Sequence, residues 1–361
     1  MPNSLRLAAS TLSLLLLAAC SDGAAGPAGP AGSAGAPGAT GPAGATGPAG
    51  SSSGGPVTPG SDAGPVARPT ELAQLDLPGA PFFPESITAS KDGTLFVESI
   101  AGSGIVKFEA GTRARKTFAA PGTVKGVAGV FDDDDANTLY ACNVDSRATP
   151  TASVVRAFDL TSGAAKASYP FLTTGFCNDF ARDTAGNLYV TDSLGKIYLL
   201  KKGATALVPW SADPKLAPTS PGGFGADGIS FDGTSTIYVN TFTDNGLLRI
   251  PVQADGSAGA VETTTVTPAL SGPDGMRQID ATTLLVVEGA GRLSRVKVTG
   301  ATGQSIPIVN RVDSPTGVAV TGGSYWVTEG SSDASSSTRP GLLRTSRSSS
   351  DASMLSRRNA R

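Results

Sequence analysis

Among its 361 residues the chain has no histidine. That excludes histidine-dependent triads, histidine-ligated zinc centres and histidine as a general base. Any catalysis must run on carboxylates, amides, lysine, tyrosine, hydroxyls or a hard cation held by oxygen. Charge is also scarce: Asp, Glu, Lys and Arg together make up 16% of the residues, and the formal net charge is −2. With no basic block in the part expected to fold, nothing argues for nucleic acid as a partner. The one long apolar run, residues 7–19, is too short to span a bilayer comfortably. What is plentiful is Gly, with 46 residues, together with Ser, Thr and Val. These suit tight turns and strands rather than helices.

The N-terminal run follows Arg6 and ends in Leu17-Ala18-Ala19-Cys20. It is flanked like an export signal, and its LAAC ending resembles a bacterial lipobox, in which the cysteine takes the lipid. Residues 1–20 thus read as a lipoprotein signal peptide with Cys20 as the lipidation site. The plainer alternative is a signal peptide with an incidental cysteine. Acyl chains contribute about 0.8 kcal/mol per buried CH₂, so a multiply acylated Cys20 would hold the protein on a membrane. Ser21 follows where an Asp would mark inner-membrane retention, which points to the outer membrane or its periplasmic side.

Residues 23–50 carry glycine at every third position, the period that a collagen triple helix demands. Within 21–70, this collagen-like stretch and the Gly/Pro/Ser-rich segment after it read as a stalk. A stalk that trimerises and a spacer that stays monomeric both fit the pattern.

From residue 71 a unit repeats, shown most clearly by GADGISFDGTSTIYVNTFTDNGLLRI at 225–250. Alternating apolar residues bounded by D-G and N-G turns specify a meander of antiparallel strands. Openings recur at PESITAS, KGVAGV, CNDFARD, ADGISFD, PDGMRQID and PTGVAVT, about 40–53 residues apart. That is the period of a four-stranded propeller blade. The expected fold is an all-β, six-bladed propeller over 71–345, with 346–361 as a disordered tail. Outer strands should come from the segment before each opening, such as Val266, or Ile306 and Ile308. By the same phase, Leu72, Leu75 and Leu77 should complete the sixth blade and leave no free edge.

In such a blade the start of strand one and the end of strand two face the same mouth. The starting ring is then Glu85, Lys125, Asn178, Asp227, Asp274 and Thr316, and the rim ring is Ser99, Asn143, Asp192, Thr241, Glu288 and Glu329. Acids converging on a channel bind a hard cation, take up protons or pair with a base. Lys125 is the base at hand: it could close the ring electrostatically or contact a ligand. Cys142 and Cys177 fall at the same end of neighbouring blades, placed for a disulfide, with two buried thiols as the alternative.

PESITAS, FCNDFARD, GADGISFD and GPDGMRQID resemble the senescence-marker-protein/gluconolactonase/luciferin-regenerating-enzyme-like family of six-bladed propellers. The resemblance implies a divalent metal, calcium in preference to zinc, held by Glu85, Asp227 and Asp274. Asp227 stands where that family has Asn, which adds a negative charge. The resemblance further implies Asn178 on substrate and Asp274 as general base for opening a sugar lactone. The expected function is thus an exported, membrane-anchored lactonase. The alternative from another class is a non-catalytic surface propeller that binds a small-molecule ligand on a collagen-like stalk.

Overall fold

The computed structural model describes residues 74–79, 82–102, 104–145 and 152–330, and the backbone of the strand Leu342–Ser346. The expected signal peptide, Cys20, the stalk, Leu72 and the tail after Ser346 lie outside the described residues.

Strands dominate, and the only helical pieces among the described residues are two three-residue 3₁₀ turns. Each repeat opens with an inner strand: Pro84–Ala89, Val127–Asp133, Cys177–Arg182, Ala226–Phe231, Pro273–Asp280 and Pro315–Thr321. Each pairs antiparallel with the strand that follows it. Five sheets are each built from one contiguous stretch of chain. The last joins both ends: Gln74–Asp76 pairs with Leu342–Ser346, matching Leu75 to Leu343. The inner strands pack side by side in chain order, and the last packs on the first. The architecture is an all-β propeller around a central channel.

Glycine makes that tight ring feasible. A Cβ on Gly129 would lie 1.7 Å from the Asn178 carbonyl oxygen, and one on Gly228 would lie 2.5 Å from that of Asp274. Inner strands approach too closely there for any side chain. Away from the channel, apolar clusters glue neighbouring sheets together, as where Ala181 and Tyr189 of the third sheet pack with Ile229 and Val239 of the fourth. At the closure, Leu77 is 2% exposed and packs with Phe82, Ile87 and Trp326.

One outer strand differs from expectation. Val266 does not close the fourth sheet; Glu262–Thr263 does. Thr265–Thr267 instead pairs in parallel with Thr302–Gln304, a fifth strand on the next sheet. The strand Thr302–Asn310 is nine residues long, and its exposed edge is a ready partner for the passing chain. Ile306 and Ile308 do lie in an outer strand, this one.

Candidate metal and ligand site

All six inner strands carry the same irregularity near one mouth. In the first sheet Pro84 pairs with Ser99 and Ile87 with Val97, so one extra inner-strand residue is inserted. Corresponding shifts lie between Val127 and Val130, Cys177 and Phe180, Ala226 and Ile229, Pro273 and Met276, and Pro315 and Val318. A bulge re-aims the side chains beside it and frees a backbone N–H. The first residue past the pairing point is Glu85, Ala128, Asn178, Asp227, Asp274 or Thr316 in turn.

This register corrects one member of the expected ring. The second sheet contributes Ala128, whereas Lys125 lies ahead of the strand, with its side chain 68% exposed and its Nζ 3.3 Å from Asp145. Gly126, Ala128 and Gly129 give that opening little phase information, and the ring position falls three residues after the lysine. Lys125 therefore does not neutralise the ring.

The bulge N–H groups are received by side chains from the second strands. Asp179 donates to Thr191 Oγ1 at 2.9 Å, Gly228 to Asn240 Oδ1 at 3.1 Å and Gly317 to Thr328 Oγ1 at 2.6 Å. In the first sheet the acceptor is a carboxyl: Ser86 donates to Glu98 Oε1 at 2.6 Å. Glu98 is fully buried, and its Oε2 has no hydrogen-bond partner. The rim ring has a structural task. Phe83 N–H donates to Ser99 Oγ, Lys125 to Asn143 Oδ1, Phe176 to Asp192 Oδ1, Ser271 to Glu288 Oε2, Asp313 to Glu329 Oε1 and Gly246 to Thr241 Oγ1.

The remaining ring acids are gathered together. Asp227 and Asp274 act on each other electrostatically, and the charge of Glu85 acts on both. Asn178 Nδ2 donates to Asp227 Oδ2 and to Ser193 Oγ, each at 3.1 Å. Burial, then the charges of Glu85 and Asp179, hold the Asp227 carboxyl well above its usual range. Burial, then Asp227 and Glu85, do the same to Asp274. Burial pushes Glu85 up to about 7, and burial reinforced by Glu85 raises Glu98. Among the described residues no lysine or arginine forms an ion pair with any of these four.

Deeper in the channel Arg277 forks onto Asp179, Nη1 to Oδ2 at 2.6 Å and Nη2 to Oδ1 at 3.2 Å. The same Nη2 reaches the Ile87 carbonyl at 3.4 Å. A side chain from the fifth sheet thus touches both the third and the first. Sequence reasoning missed Arg277, Asp179 and Glu98. The available signals were an arginine where the third and sixth inner strands have alanine, and an acid where the third, fourth and sixth second strands have Thr or Asn.

The buried Asp227 Oδ1 has no hydrogen-bond partner, which leaves a lone pair for a donor or a hard ion. Among the described residues no group of three or more Asp, Glu, Cys or His is placed to hold a metal ion.

Neither a family model nor a curated protein sequence matches this chain. Solved structures do. A luciferin-regenerating enzyme superposes with a TM-score of 0.57 at 13% identity, covering 77% of this chain and 95% of its own. A gluconolactonase from Xanthomonas campestris gives 0.57 at 15%, covering 78% and 91%. A calcium-binding regucalcin from Agrobacterium tumefaciens gives 0.53 at 18%, covering 73% and 90%. The structural neighbours are thus propellers of the senescence-marker-protein/gluconolactonase/luciferin-regenerating-enzyme type, and at these identities the likeness establishes the fold. A streptogramin lyase and a PQQ-bound sugar dehydrogenase share it too, so fold alone does not select a reaction.

Proposed function

We propose that the chain is a lactone hydrolase built on a six-bladed propeller with a divalent-metal site at one end of its channel. The observation that carries this reading is the convergence of Glu85, Asp227 and Asp274, with the orphaned Asp227 oxygen, beside Asn178. Glu85, Asp227 and Asp274 would hold the ion, calcium in preference to zinc because every donor is oxygen. When bound, the ion would supply Lewis-acid polarisation of the lactone carbonyl. Asp274, ionised in that state, would accept the proton of the attacking water. Asn178, fixed by Ser193 and Asp227, would orient the ligand. Gluconolactonase and calcium-binding regucalcin among the neighbours support both the chemistry and the ion.

Metal analysis of the purified protein, followed by assay on a lactone panel, tests the proposal. Metal-dependent turnover should be lost in both Asp274→Ala and Glu85→Ala. The second reading, a binding propeller without catalysis, draws on the hydrogen bond from Asn178 to Asp227, which needs no metal to form. No bound divalent ion and no turnover, with ligand binding retained, would select it.

The proposal includes export, with the propeller held at a membrane by lipid on Cys20 and raised on the stalk at 21–70. Its support is the LAAC sequence and the Gly-X-Y period. Cys20→Ser should shift the protein from the membrane to the soluble fraction, and cross-linking should show whether the stalk makes trimers.

A further inference from the structure

Four of the seven exposed large apolar side chains among the described residues, Phe83, Leu172, Leu194 and Phe242, lie on segments entering or leaving the ring strands at the acid-bearing mouth. On one side, Leu194 and Phe242 lie with Phe176 and Phe224 along an arc of linked loops. Ser193 N–H donates to the Phe176 carbonyl at 2.8 Å, Gly225 N–H to the Ser193 carbonyl at 2.8 Å, and Phe242 N–H to the Gly225 carbonyl at 3.1 Å. These bonds tie the loops of the third and fourth sheets into one surface. Phe176 and Phe224 meet edge to face at 5.1 Å and are both partly exposed, while Leu194 and Phe242 are 47% and 36% exposed.

The arc adjoins the acids. Ser193, whose backbone joins its two halves, accepts through Oγ from Asn178, and the same amide group donates to Asp227. Three polar rim side chains suited to reading a polyhydroxylated ring already have partners, although Asp192 Oδ2 has none. Lys125 pairs with Asp145, Asp192 caps the Phe176 and Leu194 amides, and Glu288 is forked by Arg292. An apolar surface this close to a buried polar site takes the apolar end of an amphiphilic ligand.

From this we infer that the site, on the lactone-hydrolase reading above, is built for a lactone carrying an alkyl or aryl substituent, with its carbonyl at the acids and its substituent on the arc of Phe176, Leu194, Phe224 and Phe242. A sugar lactone would present hydroxyls to this arc and leave it unfilled.

The test separates binding from turnover. Isothermal calorimetry on the full-length protein, with and without calcium, measures 5-alkyl-γ-lactams of one to seven side-chain carbons against gluconolactam. Lactams resist hydrolysis, so affinity is read without catalysis. Affinity should rise roughly two- to fourfold per methylene until the arc is covered. The rise should vanish in Leu194→Ser/Phe242→Ser, whose positions are exposed and whose fold should persist. Chain-length-dependent binding without turnover of any lactone would support the inference and sink the hydrolase reading. Turnover of a sugar lactone with a flat lactam series would do the reverse. Gluconolactam binding more tightly than the heptyl lactam, a chain-length slope that survives the double substitution, or an arc that binds lipid vesicles or protein but no lactam would each overturn the inference.

Discussion

Arg277 crosses the channel to grip both carboxylate oxygens of Asp179, 98 residues away in sequence. The partners are 15% and 5% exposed. Removing one partner of a buried pair typically costs about 3–5 kcal/mol because the other is left uncompensated. Arg277→Met should therefore lower the melting temperature by on the order of 10 °C, and adding Asp179→Asn should recover part of the loss. Scanning calorimetry on the single and double variants checks this.

The acid cluster makes stability depend on pH in a defined direction. The Glu85 carboxyl is pushed up from 4.5 to about 7 by burial, so the folded protein keeps a proton that the unfolded chain has released. The contribution is intact below about pH 4.5 and is lost as pH rises toward 7. Urea midpoints of the cation-free protein should fall across that window, and Glu85→Gln should flatten the slope. Because a cation needs the acids ionised, calcium affinity should rise over the same interval.

At the opposite mouth, Asp132 lies up to about 8, chiefly by burial and then by Asp134. Its sign is the same, with stability lost between its ordinary 3.8 and 8 as pH rises. Asp132→Asn should raise the urea midpoint at pH 9 and leave it nearly unchanged at pH 4.

Closure of the ring rests on a short N-terminal segment. Leu77→Ala removes a buried side chain from the cluster with Ile87 and Trp326, and should cost about 2–5 kcal/mol. Deleting residues 71–80 should cost more, since it also strips the strand paired with Leu342–Ser346. Thermal melts followed by circular dichroism give both values, and an unchanged midpoint would refute this role.

Cys142 and Cys177 are joined by a disulfide, with Cα atoms 5.3 Å apart, linking the second and third sheets. It closes a loop of 35 residues, which should add about 2–4 kcal/mol. Reduction, or serine at both positions, should lower the unfolding midpoint without unfolding the protein. Mass spectrometry that found free thiols in the native protein would remove the bond.

Much of this arrangement could be read from the chain because the repeat marks it with turns. Asp227-Gly228 and Asp274-Gly275 put a ring residue directly before a glycine that the neighbouring strand forces to be bare, and Thr316-Gly317 puts one before a glycine that it crowds. That local pattern marks Asp227, Asp274 and Thr316, while Glu85 and Asn178, followed by Ser86 and Asp179, are placed by the strand repeat alone. It failed at 125–130, where small residues surround Lys125 and the alternation has no strong phase. Val266 was misplaced because a passing strand chooses its partner by edge exposure, which no local pattern encodes. Arg277 and Asp179 were unreadable as a pair because their meeting depends on the ring's curvature. Glu98 was within reach, since only comparison with Thr191, Asn240 and Thr328 was needed to see an acid in a position that elsewhere holds a hydroxyl or an amide.

The shared sheet at residues 74–76 and 342–346 sets the order in which the protein can become competent. Thr316 Oγ1 donates to the Pro84 carbonyl, one residue from Glu85, across the seam that the final strand seals. Glu85 stands on the first inner strand, apart in sequence from Asp227 and Asp274 on the fourth and fifth. Glu85 joins the other two acids only within a closed ring, so the joining of the two chain ends completes the charge of the channel.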